Sequence, residues 1–283
     1  MKKIISIIIT VMLCFLISGC SFNNETLNNP NVYTTSYPIN YLVKTLYGSY
    51  AKNVSSIYPS DCDINNYEIP QKKFNEYAKG DLFVYNGLTN EKEIAKSLIN
   101  KNRNLLIIDV SYGLTLANDI TELWLSPNNY LMLAKNIKDN LEEYINNKTI
   151  TESINDNYND FEEKISIMDA SLHSLGKNSK KTIIVSNDTF KFLENYGFTV
   201  ISLEDPNNQK EIKINNIKNN FKNKKYSSLL VANTDIDNEL VKEIKDSYSP
   251  TIYEIDTLTI SLNDDYFNVM NSFIEIIKNI TNE

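Results

Sequence analysis

The chain has 283 residues, of which 42% are hydrophobic and 23% charged, so it can form one large or two ordinary domains and is too apolar to be disordered. Its 7 Gly, 7 Pro and 3 Cys exclude a collagenous, a low-complexity or a disulfide-scaffold protein. The formal net charge of −8 gives a surface that repels nucleic-acid backbones, and we therefore expect no nucleic-acid partner.

The first 19 residues have the pattern of a signal peptide. Lys2 and Lys3 precede an almost uninterrupted apolar run that ends at Ile17. About 14 apolar residues reach only ~21 Å as a helix, which is too short for a ~30 Å hydrocarbon core, so we do not predict a membrane-spanning helix.

The four residues that close this segment, Ile17-Ser18-Gly19-Cys20, resemble the lipobox of bacterial lipoproteins. The resemblance implies cleavage before Cys20, a diacylglycerol on its sulfur, and a mature protein anchored outside the cytoplasmic membrane. The alternative is an ordinary secretory signal whose cysteine is incidental. Residues 20–31 are rich in Asn and Ser and are predicted to form a flexible tether.

Cysteine usage sets how the mature chain is stabilised. Cys14 lies in the signal segment and Cys20 at the lipidation position, so Cys62 is the one remaining thiol. An intramolecular disulfide is therefore excluded, and stability must come from a packed core.

The first half of the chain alternates between short apolar runs and helical segments. These runs are continuous rather than strictly alternating, which is typical of strands covered on both faces. We predict strands at 32–36, 53–58, 81–85 and 105–110 and helices at 39–47, 71–79 and 91–100.

The second half repeats this scheme. We predict strands at 182–185, 198–203, 228–232 and 251–255 and helices at 189–196, 210–220, 238–247 and 265–281. Two successive βαβα blocks indicate an α/β fold of two lobes with mainly parallel four-stranded sheets.

Long helical stretches at 127–147 and 151–175 lie between the two blocks. In the second, apolar residues recur in steps of three and four and form one stripe: Ile154, Tyr158, Phe161, Ile165, Met168 and Leu172. We therefore predict an N-terminal lobe at 32–150, a long linking helix at 151–176 and a C-terminal lobe at 177–283. The alternative is that this helix belongs to the core of a single domain.

Several short motifs then resemble, in their order and spacing, one protein family. They are Val32-Tyr33-Thr34-Thr35-Ser36-Tyr37-Pro38, Tyr67-Glu68, Gly80-Asp81-Leu82-Phe83-Val84-Tyr85-Asn86-Gly87-Leu88, Leu123-Trp124-Leu125-Ser126-Pro127, Asp188-Thr189-Phe190 and Asp264-Asp265-Tyr266-Phe267-Asn268-Val269-Met270. With the lipobox and the linking helix, they are similar to the zinc/manganese-binding lipoproteins that supply ABC importers. The resemblance extends from about Val32 to Ile280.

The resemblance implies a metal site in a cleft between the lobes, with ligands at the carboxyl ends of strands. Carried over position by position, the family's four ligands fall on Asn65, Glu122, Asn187 and Asp256. The family has His at the first two positions and His or Glu at the third, so only Asp256 keeps the expected residue type.

Amide and carboxylate oxygens form a hard ligand set, which suits Mn²⁺, Mg²⁺ or Ca²⁺ better than Zn²⁺. The single histidine, His173, lies beside the apolar stripe of the predicted linking helix and is expected to be a partly exposed helix residue. Two alternatives stay open, since the replacements also fit a cleft that has lost metal binding or one that takes a different ligand. Cys62 could be a soft ligand but is more simply a small buried hydrophobe.

The sequence lacks the G-x-S-x-G, H-E-x-x-H, phosphate-loop and C-x-x-C motifs, and we expect no enzyme activity. We expect an extracytoplasmic, lipid-anchored and monomeric solute-binding protein that delivers a divalent metal ion to a membrane permease and its ATPase. The alternatives are a surface adhesin or interaction lipoprotein that has lost metal binding, and a binder of an organic solute in the same cleft.

Overall fold

The computed structural model describes residues 27–59, 62, 64, 66–115, 120–204, 210–258 and 265–282, with Lys210 described by its backbone alone. The predicted signal segment 1–19 and the lipidation site Cys20 lie outside these residues. Within the described part, every helix is too short or too polar to cross a bilayer.

The N-terminal lobe contains a four-stranded parallel sheet. Its strands are β1 (Asn31–Thr34), β2 (Asn53–Ser56), β3 (Leu82–Tyr85) and β4 (Leu106–Asp109), in the order β2-β1-β3-β4. The connecting helices are α1 (Tyr37–Tyr47), α2 (Gln71–Tyr77) and α3 (Glu91–Lys101). Helix α1 has Pro38 in its first turn and ends before Gly48, which adopts a positive φ of 55°.

Both faces of this sheet are buried, as the continuous apolar runs predict. Leu82 and Val84 of β3 point into a core shared with α1, whereas Phe83 and Tyr85 pack on the other face. A strand that is buried on both faces does not need polar residues at every second position.

The C-terminal lobe repeats the arrangement. Strands β5 (Thr182–Val185), β6 (Thr199–Ser202), β7 (Ser228–Ala232) and β8 (Thr251–Ile255) form a parallel sheet in the order β6-β5-β7-β8. The prediction of two α/β lobes with four-stranded parallel sheets is therefore confirmed. One element differs, because the predicted helix 189–196 is a 3₁₀ helix, Asp188–Tyr196.

Two long helices lie between the sheets, α4 (Pro127–Tyr144) and α5 (Lys148–Asn178). The Asn147 side chain caps α5 by accepting from the Thr149 backbone N–H at 3.1 Å. All six residues of the predicted apolar stripe are buried. With 31 residues, α5 spans about 46 Å.

The lobes share one apolar core along these helices. A continuous cluster of buried residues runs from Leu42 in the N-terminal lobe through Tyr130 and Phe161 to Phe190 and Phe273 in the C-terminal lobe. The remaining helices, α6 (Lys210–Lys222), α7 (Glu239–Tyr248) and α8 (Tyr266–Asn282), belong to the C-terminal lobe. The shared core limits how far the lobes can move apart.

Candidate functional site

Polar side chains gather where the lobes face each other. In the C-terminal lobe, Asn187, Asp235 and Asp256 follow the carboxyl ends of β5, β7 and β8. In the N-terminal lobe, Glu122 immediately precedes the 3₁₀ helix Leu123–Leu125. The carboxyl ends of parallel strands are the usual place for a ligand site in α/β folds.

Glu122 contacts both lobes. Its Oε2 accepts from the Thr121 hydroxyl at 3.2 Å and, across the inter-lobe crevice, from the Thr189 hydroxyl at 3.3 Å. The side chain is half-buried. A carboxylate is thus held at the boundary between the lobes by two neutral hydroxyl donors.

Asn187 is oriented by two hydrogen bonds. Its Oδ1 accepts from the backbone N–H of Thr189 at 3.0 Å, and its Nδ2 donates to Asp235 Oδ2 at 2.7 Å. Asn187 and Glu122 are therefore both bonded to Thr189, one through its backbone and the other through its hydroxyl. Thr189 thus links two of the four predicted ligand residues across the crevice.

Asp256 is held by its own loop and by the first residue after β7. Its Oδ1 accepts from the Leu258 backbone N–H at 2.8 Å and from Asn233 Nδ2 at 3.3 Å. The side chain lines a cavity of about 270 Å³ between β8 and α8. The next residue, Thr257, accepts a hydrogen bond from the Trp124 indole at 2.7 Å. This contact brings the Asp256 loop to the segment that carries Glu122.

Asn65, the remaining predicted ligand, lies outside the described residues. Of its neighbours, Cys62 is partly buried and packs against the cluster that contains Tyr58 and Tyr77. Such packing is typical of a cysteine that serves as a small hydrophobe.

Sequence reasoning missed Asp235. It follows β7 just as Asp256 follows β8, so its position at a strand's carboxyl end was a usable signal. In the described part of the chain, no group of three or more His, Cys, Asp or Glu side chains is arranged to hold a metal ion.

A second cavity, of about 260 Å³, opens beside Glu122 and Thr189. It is also lined by Lys191, whose Nζ forms an ion pair with Asp188 Oδ2 at 2.5 Å. The crevice therefore holds one fixed cationic side chain next to its carboxylates.

Glu91, at the start of α3, is a buried carboxyl group that supports the N-terminal side of the crevice. Its Oε2 accepts from the Asn86 backbone N–H at 2.9 Å, and Asn86 Nδ2 in turn donates to the Thr121 carbonyl at 3.3 Å. Burial raises the pKa of Glu91 to about 7, against the lowering effect of the Asn86 hydrogen bond. These contacts connect the β3–α3 loop to the residue that precedes Glu122.

His173 takes no part in this arrangement. Its side chain is 58% exposed on α5, with Nε2 3.6 Å from Asp169 Oδ2 and its ring 4.6 Å from the Tyr196 ring. The prediction of a partly exposed helix residue is confirmed.

Comparison with known protein families gives a match over most of this chain. The model of the family described as "Zinc-uptake complex component A periplasmic", ZnuA, matches residues 32–280. Comparison with the sequences of curated proteins gives no significant match.

Solved structures share the fold at low sequence identity. The Zn(II)-bound ZnuA-like domain of Streptococcus pneumoniae AdcA is 18% identical, with 90% of this chain and 100% of that chain covered and a TM-score of 0.72. The metal-dependent lipoprotein YcdH of Bacillus subtilis is 19% identical, with 89% and 98% covered and a TM-score of 0.71.

The laminin-binding protein Lmb of Streptococcus agalactiae, described as a bifunctional protein with adhesin and metal-transporting activity, is 17% identical, with 89% and 100% covered and a TM-score of 0.74. At these identities the likeness establishes the common fold.

Proposed function

Because this chain belongs to the ZnuA family of metal-binding components of ABC importers, we propose that it captures a divalent metal ion in the inter-lobe crevice and delivers it to a membrane permease and its ATPase. The proposed ligands are Asn65, Glu122, Asn187 and Asp256. The metal is the transported cargo, and the protein itself carries out no covalent chemistry.

The observation that carries the proposal is the pair of contacts at Thr189. Glu122 of one lobe bonds to the Thr189 hydroxyl, and Asn187 of the other lobe bonds to its backbone N–H. A cation bound by Glu122 and Asn187 would join the lobes, which is how a two-lobed binding protein couples capture to closure.

The chemistry of these side chains favours a hard cation. Asp235 accepts from the Asn187 amide nitrogen, so the amide oxygen lies on the side of Thr189, whose hydroxyl also bonds to Glu122. Carboxylate and amide oxygens suit Mn²⁺, Mg²⁺ and Ca²⁺, whereas Zn²⁺ sites normally contain imidazole or thiolate. We therefore rank Mn²⁺ above Zn²⁺ as the cargo.

Closure around the ion is expected to be small. The lobes share the core along α5, and the Trp124 indole is already bonded to Thr257 across the boundary. Capture would then involve rearrangement of the loops that carry Glu122 and Asp256 more than rotation of whole lobes.

The test is isothermal titration calorimetry of the chelator-treated protein with Mn²⁺, Zn²⁺, Ca²⁺ and Mg²⁺, together with thermal unfolding. A bound cation at 100 times its Kd adds about 2.7 kcal/mol of stability. We expect Glu122→Gln and Asp256→Asn to abolish this gain. Glu143→Gln, an exposed carboxylate of α4, is the matched control and should retain it.

If no cation binds the wild-type protein, metal capture is wrong. Stabilisation by an organic solute would then favour the same crevice with a different cargo. A protein that responds to neither would favour a surface adhesin role.

We further infer that Cys20 carries the lipid anchor and holds the protein outside the cytoplasmic membrane. Support comes from its place after an apolar segment in Ile17-Ser18-Gly19-Cys20. Metabolic labelling with a palmitate analogue should mark the wild-type protein and the control Cys62→Ser but not Cys20→Ser. Equal labelling of Cys20→Ser and wild type would reject this anchor.

A further inference from the structure

A polar cavity of about 170 Å³ lies at the amino ends of the C-terminal sheet, opposite the crevice. Lys180 and Lys181, just before β5, and Lys225, just before β7, line its walls. Ser228 and Ile280 are its buried lining residues. The other lining residues are Thr182, Tyr226 and Ser227.

The cavity lies beside two neighbouring strands that pair sparsely. Strands β5 and β7 pair at a single position, Val185 at the end of β5 with Leu230 in the middle of β7, whereas β7 pairs with β8 along its whole length. Thr182 of β5 and Ser228 of β7 both line the cavity. Residues that carry hydroxyl groups therefore share its lining with the three lysines.

The charge around this cavity contrasts with the rest of the protein. Segments 177–181 and 222–225 each contain three lysines and no acid, in a chain whose net charge is −8. Among the described residues, no acidic side chain lines the cavity, and none of the ion pairs found there involves Lys180, Lys181 or Lys225.

Compensation of helix dipoles explains only part of this charge. Helices α5 and α6 end in these two segments, and Ile280 of α8 lines the cavity. Each helix carboxyl end carries roughly −0.5 charge, so three ends supply roughly −1.5. The three lysines that line the cavity exceed that by roughly 1.5 positive charges, which leaves an excess available for an anion.

We propose that this cavity, here called the lysine cavity, binds a phosphate group. Lysine ammonium groups and hydroxyls commonly donate hydrogen bonds to phosphate oxygens. The cavity volume of about 170 Å³ is below the roughly 300–1,000 Å³ typical of organic ligand sites, so it fits a small oxyanion or the head of a larger molecule. This site is independent of the metal crevice.

The test is calorimetric titration with inorganic phosphate at constant ionic strength. We compare the wild type with Lys180→Gln/Lys225→Gln and with the charge-matched control Lys72→Gln/Lys92→Gln, whose lysines are exposed on the N-terminal lobe. We expect binding by the wild type and the control, and affinity about tenfold or more weaker in the cavity variant, because charge-assisted hydrogen bonds are lost. Thermal unfolding of each variant verifies that the fold is intact.

Sedimentation with phosphatidylglycerol vesicles identifies the source of the phosphate. Vesicle binding that depends on Lys180 and Lys225 and is displaced by inorganic phosphate indicates a lipid headgroup, whereas phosphate binding without vesicle binding indicates a free phosphate. Absence of both, or equal weakening in the control variant, overturns the proposal.

Discussion

The Trp124 indole N–H donates to the Thr257 carbonyl at 2.7 Å, joining the two lobes beside the candidate site. Trp124 comes two residues after Glu122, and Thr257 directly follows Asp256. Trp124 is buried, so little water competes for this hydrogen bond. The contact therefore sets the spacing between two proposed ligands that belong to different lobes.

Trp124→Phe removes this donor while keeping an aromatic ring. We expect the free energy of unfolding to fall by about 1–3 kcal/mol, because a buried hydrogen bond and part of the buried side-chain volume are lost. Urea denaturation measures the change. Tyr144→Phe is the control, since its hydroxyl donates to Ile107 within one lobe and is only partly buried. A loss no larger than in this control would contradict a role for Trp124 in joining the lobes.

The Thr189–Glu122 contact can be isolated by a double-mutant cycle. Thr189→Val removes the hydroxyl at nearly constant volume, and Glu122→Gln removes the negative charge of the group that accepts its hydrogen bond. We expect a coupling free energy of about 0.5–1.5 kcal/mol in the metal-free protein. Thr121→Val with Glu122→Gln is the matched cycle within one lobe. Additive effects of Thr189→Val and Glu122→Gln would show that the inter-lobe bond gains nothing from the charge of Glu122.

Most of the fold could be predicted from local sequence. The predicted strands 182–185, 228–232 and 251–255 coincide with β5, β7 and β8. A short, continuous run of β-branched and aliphatic residues between polar turns can adopt few structures other than a buried strand. The helix predicted at 189–196 is present, but it is a 3₁₀ helix rather than an α-helix. Over two turns, the apolar patterns of the two helix types are too similar to separate.

The candidate site was harder to predict from the sequence than the fold. Glu122, Asn187 and Asp256 came from a family resemblance, and their binding role stays a prediction. Asp235 was missed because its relation to Asn187 is a contact between residues 48 positions apart, which periodicity does not reveal. The lysine cavity likewise depends on how the segments before β5 and β7 meet the end of α8, a tertiary feature.

Gly176, near the end of α5, is expected to resist substitution. A Cβ at this position would lie 2.0 Å from the Tyr196 carbonyl oxygen, so the helix could not stay packed against the 3₁₀ helix. We expect Gly176→Ala to destabilise by about 1–3 kcal/mol, which exceeds the ~1 kcal/mol gained in helix propensity. Ser174→Ala, exposed on the same helix, is the control and should be nearly neutral. A stabilised Gly176→Ala protein in thermal unfolding would contradict the close approach.

Glu91 should make stability depend on pH near neutrality. Burial raises its pKa from 4.5 to about 7 in the folded protein, so the native state holds a proton that the unfolded chain releases. The contribution is fully present below about pH 4.5 and is lost as the pH rises through about 7, a change of roughly 3 kcal/mol. The nearby Asp109 carboxylate acts in the same direction.

Glu91→Gln keeps an acceptor for the Asn86 N–H but cannot ionise. We expect its free energy of unfolding, from urea titrations at pH 5 to 8, to vary less with pH than that of the wild type, and the variant to be the more stable protein at pH 8. Glu93→Gln, an exposed position on α3, should follow the wild-type curve. A wild-type curve parallel to that of Glu91→Gln would mean that Glu91 ionises at its ordinary pKa.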